Sequence, residues 1–108
     1  MMKVDTAALT EVVNQCFDNA TDGRYTPQQR ADFLAEGKRL RAHLMTLLSA
    51  QFAEGTQRII DANADVKAVN AELKASATNL AQTAATLNNV ARLVGTLDQL
   101  VSAGAGLV

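Results

Sequence analysis

The chain has 108 residues, 48% of them hydrophobic, no tryptophan and a formal charge of −1, a size that leaves room for one domain with a modest core. A pI near 5.7 creates no overall field that would gather nucleic acid or anionic lipid. No apolar run reaches the roughly eighteen residues of a membrane span, Asp5 and Glu11 interrupt any secretion signal, and the lone Cys16 has no disulfide partner in the chain, so a reducing cytoplasm is the expected location.

Residues 5 to 20 are the first predicted element. Val4, Ala8, Leu9, Val12, Cys16, Phe17 and Ala20 recur at helical intervals and Asp5 is an N-cap candidate, so a short amphipathic helix is expected. Cys16 lies on its apolar face, where a buried small hydrophobe is expected in place of a reactive thiol. The connector, residues 21 to 26, contains Asp22-Gly23. Thr26-Pro27-Gln28-Gln29 then supplies an N-cap, a proline at the first helical position and the glutamine of a capping box. The segment before this turn is acidic and the one after it basic, which suits antiparallel contact between the two.

A helical tract then runs from 27 to 103. Stepping by seven from Met45 lands on Phe52, Ile59, Val66, Leu73, Leu80, Leu87, Val94 and Val101, all apolar, a run that chance produces roughly once in a hundred such sequences. Between these knobs fall Ser49, Thr56, Asn63, Asn70, Ala77, Ala84, Ala91 and Asp98, small or polar residues that let helices approach and fix their register. The unbroken phase favours one very long helix, kinked at most, in a coiled-coil or helical-bundle assembly. The alternative is a break near Gly55 or Asn63 and a three-helix bundle with helices 5–20, 27–54 and 57–103. Residues 104 to 108 form an apolar tail. The whole reads as a single all-α domain, 1–108.

Few chemical sites emerge. Asp61, Asn63, Asp65 and Glu72 match the first, third, fifth and twelfth positions of a calcium loop, but Val66 stands where the loop's turn requires glycine, so helix is expected through this window. His43, the only histidine, has no cysteine near it and is read as a surface or interface residue. Arg30, Lys38, Arg39 and Arg41, with Tyr25 and Phe33 as the nearest aromatics, are read as a solvated face paired with the acidic first helix and not as a nucleic-acid site. Neither a nucleophile–base set nor a phosphate loop can be assembled, so no enzyme activity, cofactor or metal is expected.

The sequence therefore predicts a non-enzymatic, self-assembling scaffold, filament or oligomeric adaptor subunit. Met45, Phe52, Ile59, Val66, Leu73, Leu80, Leu87, Val94 and Val101 would form the homo-oligomer interface. Residues 75 to 108 hold only two charges, Arg92 and Asp98, so that tract should be covered by protein. The second reading is an amphipathic coat, or a component of a membrane-active complex, at a lipid or granule surface.

Overall fold

In a computed structural model, residues 3–48, 57–76 and 78–103 are described, and they are helical almost throughout. Among these described residues four α-helices follow one another: α1 (Thr6–Ala20), α2 (Pro27–Leu47), α3 (Gln57–Ser76) and α4 (Thr83–Ala103), with a 3-10 turn at Leu80–Gln82 leading into α4. Among the described residues no strand occurs.

The first two helices start where local chemistry directs. The Asp5 carboxylate accepts from the Ala8 amide at 3.0 Å, capping α1. Thr26 and Gln29 complete a reciprocal capping box: the Thr26 hydroxyl accepts from Gln29 N, and the Gln29 side chain accepts from Thr26 N, both at 3.1 Å.

The expected very long helix is not formed. The bundle's longest dimension is 43 Å, whereas an unbroken helix over 27–103 would span on the order of 115 Å. The tract is divided after Leu47 and again after Ser76. Phe52 and Gly55, and the tail 104–108, lie outside the described residues. Asn63, the other break candidate, sits inside α3. The second break has a clear physical cause. Ser76, Thr78 and Asn79 compete for backbone groups: the Ser76 hydroxyl donates to Leu73 O at 2.8 Å and the Thr78 hydroxyl to Ala75 O at 2.8 Å. Turn bonds from Thr78 N to Ala75 O and from Asn79 N to Ser76 O close the helix.

α1 packs on α2 and α3, and α4 packs on the same two, so the helices form a four-sided ring. Polar contacts give the directions. Asp5 meets Asn63, Glu11 meets Asn70 and Asn19 meets Ser76, so α1 and α3 run parallel. The buried residues of α1, Leu9, Val12, Val13, Cys16 and Asn19, recur 57 positions later as Val66, Val69, Asn70, Leu73 and Ser76. Phe33 and Leu40 of α2 are matched at the same distance by Val90 and Leu97 of α4. Two helical hairpins thus lie side by side in the same sense. Their inner faces make one core, in which each fully buried Leu, Ile or Phe contributes roughly 1.5–3 kcal/mol.

Direct ion pairs are not what joins the two helices of the first hairpin. Among the described residues no ion pair joins α1 to α2: Glu36 pairs with Arg39 on its own helix, and Glu11 reaches Lys74 of α3. The contact is apolar and close. A Cβ built on Gly37 of α2 would stand 3.1 Å from Cys16 Cβ and 3.3 Å from the Phe17 ring, so glycine is what allows the approach.

Candidate functional site: the outer faces of α4 and α2

The eight described heptad positions separate into three groups. Ile59, Val66 and Leu73 are fully buried in the chain's own core, whereas Leu87, Val94 and Val101 are half-buried against it. Met45 and Leu80 are exposed, at 64% and 43%, and Phe52 lies outside the described residues. The seam is therefore consumed largely within one chain. Antiparallel hairpins of a bundle need the same repeat of seven as a coiled coil between chains, so the periodicity did not distinguish them. The α4 core is drawn from a neighbouring register, Val90, Leu93, Leu97 and Leu100.

The intervening positions divide as well. Asn63 clamps the segment before α1, accepting from Asp5 N at 2.7 Å and donating to Lys3 O at 3.2 Å. The Asn70 amide donates to Glu11 at 2.7 Å. The calcium-like window is continuous helix: Asn63 is committed to the clamp, and the Asn89 amide donates to both Glu72 carboxylate oxygens at 2.9 Å. Among the described residues no group of three or more His, Cys, Asp or Glu is placed to hold a metal ion.

Ala84, Ala91 and Asp98 lie exposed on α4, on the side away from its core residues. With Asn88, Gly95 and Ser102 they form an outer face of small side chains whose only charges along the helix are Arg92 and Asp98. Gly95 lies at the middle of this face. A Cβ built there would have nothing within 4 Å. Glycine inside a helix costs about 1 kcal/mol relative to alanine, and here nothing in the chain's own packing requires it. An isolated glycine in a helical tract was the signal available in the sequence, and it was missed.

Beside this face, α2 and α4 enclose an open groove of ≈ 590 Å³ floored by Ala42, Ala91, Val94 and Gly95. Its rim is polar. Arg39 donates to Glu36, and His43 Nε2 stands 3.8 Å from Asp98 Oδ1. His43 thus becomes part of the α2/α4 boundary.

The basic residues of α2 occupy two flanks. Arg39 faces the groove with Glu36, while Arg30, Lys38 and Arg41 follow Leu34, Met45 and Leu48 in three- and four-residue steps along another. Tyr25 and Phe33 are not available to stack on bases, because both are buried in an edge-to-face pair with ring centres 5.0 Å apart. Cys16 is fully buried, and burial, reinforced by the nearby Glu36 carboxylate, pushes its thiol up to about 12. It is therefore a protonated packing residue at neutral pH.

At the connector end of the bundle lies a buried polar cluster. Ser76 has one hydroxyl proton and gives it to Leu73 O. The Tyr25 hydroxyl, 2.7 Å away, must then donate to Ser76 Oγ, which also accepts from the Asn19 amide at 3.4 Å. These contacts join the first connector to the end of α3 and are structural.

Among the described residues no helix is long and apolar enough to cross a membrane. Comparison with protein-family models, with curated proteins and with solved structures finds no match.

Proposed function

We infer that this chain is a non-enzymatic, cytoplasmic helical adaptor that works as a homo-oligomer, its subunits meeting through the outer face of α4. Gly95 carries this reading. An exposed glycine at mid-helix, with open space above it, lets a second backbone approach closely, and close approach compensates for the helix stability it sacrifices. The charges fit self-pairing. Arg92 and Asp98 lie three residues to either side of Gly95, so an antiparallel pairing centred on Gly95 sets each copy's Arg92 level with the other's Asp98.

The proposed interface residues are Ala91, Arg92, Gly95 and Asp98, since Ile59, Val66 and Leu73 of the heptad run are spent on the chain's own core. Light scattering should give twice the 11.4 kDa chain mass at roughly tens of micromolar protein, as suits a modest interface. Gly95→Leu and Arg92→Asp should each produce monomer, and Arg92→Asp combined with Asp98→Arg should restore the dimer. A native chain that stays monomeric under these conditions refutes the assignment.

A further inference from the structure

We propose that the flank of α2 formed by Arg30, Leu34, Lys38, Arg41, Met45 and Leu48 is a docking surface for an anionic lipid bilayer. Its three large apolar side chains stand out from the bundle, with exposures of 40% for Leu34, 64% for Met45 and 48% for Leu48. The successive steps of four, four, three, four and three residues keep all six on one side of the helix. That side carries no carboxylate. The two acids of α2 point elsewhere and are engaged, Asp32 with Gln28 and Glu36 with Arg39. Among the described residues no hydrogen bond or ion pair engages the side chains of Arg30, Lys38 or Arg41.

The order of residues along the flank selects the occupant. Lys38 and Arg41 lie between Leu34 and the Met45/Leu48 pair, at the centre of what would be the seam with a partner helix. A protein seam would bury those cations and strip their water, at a cost that an ion partner only partly returns. A second copy is worse, since antiparallel self-pairing of Leu34 with Leu48 brings the two Arg41 side chains face to face. A headgroup layer has neither difficulty. Lys and Arg stems lie along the apolar boundary with their charges among anionic phosphates, while Leu34, Met45 and Leu48 enter the acyl margin.

Flotation with phosphatidylcholine vesicles, with and without phosphatidylglycerol, tests this. The protein should float with the anionic vesicles and remain behind with the neutral ones, and added salt should release it. Lys38→Gln with Arg41→Gln should weaken binding about twenty-five-fold, at about fivefold per cation. Met45→Ser with Leu48→Ser should weaken it at least about tenfold, and circular dichroism of both double variants should match the native chain. Gly95→Leu should float like the native protein, because the α4 face is separate from this flank, so failure of the dimer leaves the lipid result readable. Absence of flotation, equal flotation with both vesicles, or flotation untouched by both double variants overturns the proposal. A synthetic acidic amphipathic peptide covers the other occupant. Saturable peptide binding that requires Lys38 and Arg41, in a protein that does not float, would reassign the flank to a partner helix.

Discussion

Replacing Gly37 and Gly95 by alanine, one at a time, applies the same chemical change to two helix interiors with opposite surroundings. At Gly95 the added methyl meets nothing within 4 Å, so only backbone entropy and helix propensity change, and the monomer should gain about 0.5–1 kcal/mol. At Gly37 the same gain is opposed by contact at 3.1 Å with Cys16 Cβ, an atom fixed to the α1 backbone that no rotamer can withdraw. The Phe17 ring at 3.3 Å can turn aside, but α1 and α2 must still separate by a few tenths of an ångström. Overpacking of this kind costs about 1–3 kcal/mol, which leaves a net loss of about 1 kcal/mol after the propensity gain. Urea unfolding followed by circular dichroism, at protein concentrations low enough to dissociate any dimer, reads both values. The two midpoints should move in opposite directions. If Gly37→Ala raises the midpoint as Gly95→Ala does, the close packing of α1 on α2 is wrong.

Three further outcomes follow from the buried groups and the first turn. The Cys16 thiol is held protonated up to about 12 in the folded chain but ionises near its ordinary 9.0 when unfolded. Stability should therefore be unaffected by this group below pH 9.0 and fall by about 1.4 kcal/mol per pH unit above it, a slope absent from Cys16→Ala in alkaline urea titrations. The Arg24 side chain and amide hydrogen-bond to the Asp22 carboxylate and hold it down to about 2, so its contribution is present above 3.8 and lost as pH falls through that range. Asp22→Asn should flatten this part of the acid unfolding curve. Tyr25→Phe removes one donor to Ser76 and should cost about 1 kcal/mol, whereas Ser76→Ala strands both the Tyr25 hydroxyl and the Asn19 amide and should cost about 2–3 kcal/mol. Equal thermal stability of these two variants would contradict the assigned direction of the hydrogen bonds.

Local signals in the sequence carried over well. Asp5, Thr26, Pro27 and Gln29 mark helix starts because capping depends on a handful of adjacent residues, and Cys16 could be placed in the core from the spacing of its neighbours alone. Long-range arrangement was harder to read. A repeat of seven says that a helix face is covered but not by which chain, so Ile59, Val66 and Leu73 gave the same pattern that an intermolecular coiled coil would give. The break after Ser76 was hidden because Ser, Thr and Asn weaken a helix without forbidding it, whereas proline would have announced the end. The opposite charges of the first two segments suggested an attraction that the hairpin does not use, since Glu11 turns to Lys74 and Glu36 stays with Arg39. On the outer faces, neither Gly95 nor the Leu34-to-Leu48 flank was singled out from the sequence. Recognising them needed the knowledge of which side of each helix the core had already taken.

The parallel alignment of α1 with α3 ties each half of the molecule to the other across 57 positions of chain. A nascent polypeptide halted before Gln57 would hold one hairpin whose inward side, from Leu9 along to Asn19, has no lining opposite it. Such a half should stay loose and attract chaperones, and the finished protein should acquire its order in one cooperative transition, at a rate limited by how quickly distant segments find each other.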